Sequence, residues 1–201
     1  NAFYNRMDLP TNDGLNNFLV SYIARKKDSK VMISGVGGDE LFFGYPSFKR
    51  IPKLNSYLKF FPNSKLINNF FKFNIYPFLK NLRLNIKYSG VYEYGRNLGS
   101  AFLLQRSLFL PHEIKEILTP EIFEIGFEEL NTLGNIKEDI KDIYEKKLSI
   151  MYLEIKYYLC SKLLRDADWT SMAHSVEMRT PFVDWFFFEQ LVPLLKSKIN
   201  I

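Results

Sequence analysis

Cysteine and histidine are almost missing from this chain, and their scarcity closes several routes to function. The single cysteine, Cys160, makes no internal disulfide, and two histidines are too few donors for a structural zinc site. No apolar run approaches the roughly 18 residues of a membrane-spanning helix. The opening residues, Asn1-Ala2-Phe3-Tyr4-Asn5-Arg6, lack both an initiator methionine and an apolar signal core. A reducing, cytoplasmic location is the expectation. Acid is locally missing too: Leu41 to Tyr92 contains no Asp or Glu, against nine Lys/Arg and fourteen aromatics.

What is present is ordinary globular material. Of 201 residues, 47% are hydrophobic and 24% charged, with a net charge of +5, so disordered and fibrous classes are out. Aromatics reach 16%, enough for a large core or an interface. The missing methionine and a helix-rich pattern without a full sheet point to a piece of a longer protein.

Leu15, Phe18, Leu19, Tyr22 and Ile23 recur with helical spacing, and Thr11 or Asp13 can cap that helix. Lys30–Ser34 reads as a short buried strand, followed at once by Gly35-Val36-Gly37-Gly38-Asp39-Glu40. Helix, strand, glycine-rich turn and helix make a fragment of an α/β unit. Prolines at 46, 52, 62 and 77 divide the acid-free stretch into short segments. From Glu113 to Lys147 the balance reverses, with ten acids against five lysines. Met151, Ile155, Leu159 and Leu163 mark a long helix ending near Arg165, with Cys160 on its core stripe as a space-filler. Phe188, Leu191, Val192 and Leu195 mark a last one. Only one strand is evident, so the chain is expected to be mostly helical, with Val31–Ile33 apolar on both faces like a covered parallel strand.

Two stretches carry chemistry. A strand ending in Ser34-Gly-x-Gly-Gly brings backbone N–H groups where side chains would block a ligand, and Asp39 and Glu40 behind it suit Mg²⁺. A plain tight turn with an acidic helix start accounts for the same residues. From Leu163 to Asp184, Arg165, Asp166, Asp168, Glu177 and Arg179 thread through apolar sequence. They suit either a phosphate clamp or a structural ion-pair network, with Arg179 expected to be buried and paired. His174 reads as a packed residue, His112 as a helix-start residue, and Tyr45 as core or substrate contact. Lysines among aromatics in the acid-free stretch suit nucleic acid or a membrane surface, but a solvated basic face over an aromatic core is the plainer account.

Ser34-Gly-Val-Gly-Gly-Asp-Glu-Leu-Phe-Phe-Gly-Tyr45 resembles the Ser-Gly-x-Gly-(Gly/Ser)-Asp-Glu-hydrophobic-Phe-Gly-Gly-Tyr segment of glutamine-hydrolysing asparagine synthetases. Leu164–Asp184 resembles their second signature, Asp-x-x-Ser-Met-Ala-His-Ser-hydrophobic-Glu-x-Arg-x-Pro-Phe-hydrophobic-Asp. Asp8–Asp13 is similar to the segment before their helix. The resemblance implies that residues 1–201 are the C-terminal part of an α/β synthetase domain of the adenine-nucleotide α-hydrolase type. It implies an amidating ligase that uses ATP and Mg²⁺ to convert aspartate, through an acyl-adenylate, to asparagine. Ammonia would come from a glutaminase domain of the same chain. Ser34, Gly35, Gly37 and Gly38 then line the ATP site and Asp39 holds the metal, while the catalytic residue stays unassigned. Partners are small molecules, with neither nucleic acid nor membrane, and a homodimer is the assembly it allows.

Four departures from the family pattern stand beside this resemblance. The family's pyrophosphate loop and glutaminase domain are not in these residues, so 1–201 alone is expected to be inactive. Val36 stands where well-studied members have a glutamate, and Phe43 where they have a glycine. Amidation of another carboxylate, such as a surface-polysaccharide sugar acid, and a non-catalytic scaffold are the alternatives.

Overall fold

The computed structural model describes residues 2–7, 9–62, 64–82 and 86–199, which leaves Asp8 of the pre-helix motif outside the described residues. In chain order the elements begin with α1 (Gly14–Lys26), β1 (Val31–Ile33), α2 (Gly38–Leu41) and α3 (Ser47–Leu58). Next come α4 (Lys65–Phe70), a π-helical turn at Phe71–Ile75, α5 (Tyr76–Asn81), α6 (Val91–Tyr94) and α7 (Leu98–Arg106). Then follow α8 (Pro111–Ile117), α9 (Pro120–Leu130), α10 (Thr132–Asp139), α11 (Lys146–Leu153), π-helical turns at Glu154–Leu163 and α12 (Leu164–Met172). β2 (Glu177–Arg179) and α13 (Trp185–Ile199) close the chain. The expectation of a mostly helical α/β fragment holds. The chain divides into two compact units, 1–44 with 154–201, and 45–153.

In the first unit α1 packs on α12 through Gly14, Phe18 and Ser21, spaced i, i+4, i+7. The sequence stripe is only partly right: Leu15, Leu19, Tyr22 and Ile23 are exposed. The contact is set by Gly14, where a Cβ would come within 3.1 Å of the Trp169 ring, so a small residue lets the helices approach. β1 and β2 form a parallel ladder pairing Val31 with Glu177, Met32 with Met178 and Ile33 with Arg179. This corrects the expectation of a single strand, because the alternating Glu-Met-Arg reads as extended chain but gives no sign of its partner. It also corrects the burial of β1: Ile33 is 78% exposed, since the described sheet has only two strands. α13 turns Phe188, Leu191, Val192 and Leu195 to its less exposed side, as their spacing requires.

Across 154–163 the i→i+5 turns shift the side-chain phase from that of an α-helix. Leu159 and Glu154 are buried, and Cys160 is exposed rather than part of the core stripe.

The second unit is built from α3, α7 and α11. Phe48 and Ile51 of α3 and Ala101, Phe102 and Leu104 of α7 are buried, with Ile150 and Leu153 of α11. Asn97 starts α7 by accepting hydrogen bonds from the amides of Gly99 (2.9 Å) and Ser100 (3.3 Å). Pro111 opens α8, where Glu113 accepts from the Leu110 amide at 2.7 Å, so His112 is a helix-start residue as expected. Arg106 lies over the Tyr45 ring, 4.4 Å from its centroid. The aromatic-core account of the acid-free stretch is only partly right. Phe48, Tyr76 and Tyr92 are buried, but Tyr57, Phe60, Phe61, Phe70, Phe73, Phe78 and Tyr88 are exposed.

Candidate functional site

The glycine-rich turn leaves the carboxyl end of β1, where open α/β sheets bind their ligands. The Ser34 amide continues the ladder, donating to the Arg179 carbonyl at 2.8 Å. The Ser34 hydroxyl accepts from the Val36 amide (3.3 Å), and Gly38 N–H closes the turn on the Gly35 carbonyl (3.1 Å).

The three glycines of this turn differ in what a side chain there would meet. Gly37 has φ +96°, a left-handed conformation, and a Cβ there would meet Val183 at 3.0 Å and Phe182 at 3.3 Å. At Gly38 a Cβ would rest at ordinary contact distance, 3.4 Å from the Phe182 ring. Gly35 is exposed, its φ is not positive, and a Cβ there would meet nothing within 4 Å among the described residues. Among the described residues neither conformation nor packing requires glycine at 35.

The two acids after the glycines part company. Glu40 is 1% exposed and turned into the protein, whereas Asp39 is exposed. The Asp39 carboxylate folds back over Gly44, whose missing side chain leaves room for it, and the Gly44 amide donates to the Asp39 carbonyl at 2.8 Å. Phe43 occupies the left-handed region at φ +60°, which explains why glycine suits this position in the resembling family. Among the described residues no three His, Cys, Asp or Glu side chains converge as a metal cluster. One accessible carboxylate still fits Mg²⁺, which keeps several waters and is completed by substrate phosphates.

The second signature borders the same turn. β2 runs beside β1, and Phe182 and Val183 back Gly37 and Gly38, with the Phe182 and Phe42 rings 5.8 Å apart. Sequence reading missed Phe182 and Val183 as the floor of the turn; their adjacency to Pro181 in the motif is the only signal that marks them. Asp166 is fully buried and structural: Thr11 Oγ1 donates to its carboxylate and Trp169 Nε1 donates at 3.2 Å. Thr11 itself accepts from the amides of Asp13 (3.2 Å) and Gly14 (3.0 Å), starting α1. Asp13 in turn meets Lys162 at 3.3 Å and the Tyr158 hydroxyl at 3.4 Å.

Arg179 is paired, as expected, but not buried. Its Nε lies 2.9 Å from Glu177 Oε1, and both side chains are more than half exposed. Residues two apart on a strand share a face, and here that face is open to solvent. The hydrogen bond and charge of Arg179 hold the Glu177 carboxyl below its ordinary value. His174 packs against Phe18 (4.3 Å) and Tyr22 (5.5 Å), as its packed reading requires. Loss of hydration and the charge of Arg6 pull its pKa down, against hydrogen bonding to the Phe18 backbone.

The family model described as asparagine synthase matches residues 4–194. No curated protein and no solved structure matches the chain. With nearly its whole length covered, the chain belongs to the asparagine synthase family, a family of ATP-dependent, amidating carbon–nitrogen ligases.

Proposed function

From that membership we propose that the protein converts aspartate to asparagine, using ATP with Mg²⁺ and ammonia released from glutamine by a glutaminase domain. A side-chain carboxylate oxygen of aspartate attacks the α-phosphorus of ATP, and the bond to pyrophosphate breaks. Ammonia then attacks the acyl carbon, loses a proton and displaces AMP. Ser34 and Gly35 are the groups offered to the nucleotide, with Gly37 and Gly38 setting the turn's shape. Asp39 would hold Mg²⁺, which supplies charge neutralisation as pyrophosphate leaves.

One observation carries the reading: an exposed glycine with no internal reason to be glycine stands beside an exposed carboxylate at the end of a parallel strand. The test is carboxylate-dependent ATP–pyrophosphate exchange in the full-length protein. Asp39→Ala should lower exchange by about two orders of magnitude while its melt stays within about 0.5 kcal/mol of wild type. Wild-type exchange in that variant sinks the assignment.

A second reading, amidation of a different carboxylate such as a surface-polysaccharide sugar acid, is favoured by Val36. This half-buried apolar residue, its amide turned to Ser34, offers no acid or base where well-studied members have glutamate. Exchange that ignores aspartate and responds to another carboxylate selects this reading.

A further inference from the structure

The segment from Tyr57 to Leu82 shows solvent what a core should hide. Along the helical run 65–81, Ile67, Phe71, Ile75, Tyr76 and Leu79 are buried or half-buried. The outer side is just as apolar: Leu66 is 81% exposed, Phe73 75% and Phe70 55%, at i, i+7 and i+4. Before the run, Phe60 is 89% exposed and Phe61 55%. A helix apolar all round needs a second apolar neighbour.

The charges carried by the segment itself have one sign, although Glu93 and Glu116 lie beside Phe73 across a cavity. Lys59 and Lys65 are exposed on this segment and Lys53 just before it, and no acid occurs between Leu41 and Tyr92. Asparagines, not acids, fill the polar positions at 68, 69 and 74. Protruding Phe and Leu set among lysines, without acid, match a surface helix lying in a lipid headgroup layer. Aliphatic Leu66 and Leu82, the latter 53% exposed, have no use in stacking on nucleic-acid bases. An acid-free stretch this long exceeds what pairing with a local acidic protein patch requires.

We infer that the described residues of 57–82 form a peripheral docking surface for an anionic lipid bilayer, with Phe60, Leu66, Phe70 and Phe73 entering the headgroup region and Lys59 and Lys65 facing lipid phosphates and carboxylates. This reverses the expectation of no membrane partner, and it is independent of the ligase reading. Among the described residues no helix is long and apolar enough to cross a membrane, so the contact is interfacial.

The test is co-sedimentation of the full-length protein with vesicles of phosphatidylcholine alone, or with about 30 mol% phosphatidylserine. Binding is expected to the anionic vesicles only, weakening severalfold between about 0.05 and about 0.5 M salt. The double variant Lys59→Glu/Lys65→Glu should bind at least about tenfold more weakly. Phe60→Trp, at a position that is nearly all exposed, should fold normally and, relative to the parent protein, gain emission that shifts to the blue on binding. Failure to sediment, equal binding to both vesicles, added Phe60→Trp emission that stays unshifted, or RNA competing off the vesicles would overturn the inference. A face covered by another part of the protein gives the first of these results.

Discussion

Gly35 and Gly37 stand two residues apart in the same turn, yet the chain needs glycine only at 37. There, φ +96° and the backing of Val183 exclude a side chain. Gly37→Ala should therefore cost about 1–2 kcal/mol in stability from the left-handed backbone alone. Gly35→Ala meets no atom of the described residues within 4 Å and should melt like wild type. If the open face admits the nucleotide, the added methyl should instead raise the KM for ATP about tenfold or more. A Gly35→Ala enzyme with normal ATP kinetics would show that this face is not used. In sequence the glycines look alike, and the motif announces the turn without saying which residue shapes it and which clears space. The same limit governs Asp39 and Glu40, one exposed and one buried, and Arg179, whose pairing with a carboxylate was legible but whose partner, Glu177, and exposure were not.

At the scale of elements, helices were legible and partners were not. Periodicity located α1 and α13, because 3.6-residue spacing is a local property. The buried side of α1 was only partly legible: Gly14 and Ser21, not the larger apolar residues, allow the approach of α12. The strand β2 was hidden for a similar reason, since its pairing partner lies 146 positions earlier in the register Val31 to Glu177. Thr11 shows how such distant elements are joined. Its hydroxyl donates to fully buried Asp166 on α12 and accepts two amides at the start of α1. Thr11→Val keeps the shape but removes a cap and a donor to a buried carboxylate. It should destabilise by about 2–3 kcal/mol, whereas Thr11→Ser should recover most of that loss. Chemical denaturation of the three proteins checks it, and equal stability of Val and Thr variants would remove this link.

For the whole molecule, charge follows the division into units. Residues 45–153 carry 16 Lys/Arg and 11 Asp/Glu, while the remaining residues carry 11 of each, so the entire +5 resides in one unit. The sequence showed a basic stretch and an acidic one but not that both fall in one unit, because the other unit becomes compact only when β1 meets β2. The unit 45–153 is continuous in sequence and owns a core of Tyr94, Leu104 and Leu110 with Leu54, Val91, Leu103 and Leu133 around it. At this length a single core can sustain folding, and no strand of the described sheet belongs to it. Expressed alone, residues 45–153 should give a helical circular dichroism spectrum and a cooperative melt. They should also retain the salt-sensitive vesicle binding assigned to 57–82, since both the lysines and the exposed phenylalanines go with them. Residues 1–44 joined to 154–201 by a short linker should show none, having no net charge and lacking that surface. A non-cooperative melt for 45–153 would deny it independence, and vesicle binding that tracked the other unit would place the membrane contact elsewhere in the molecule.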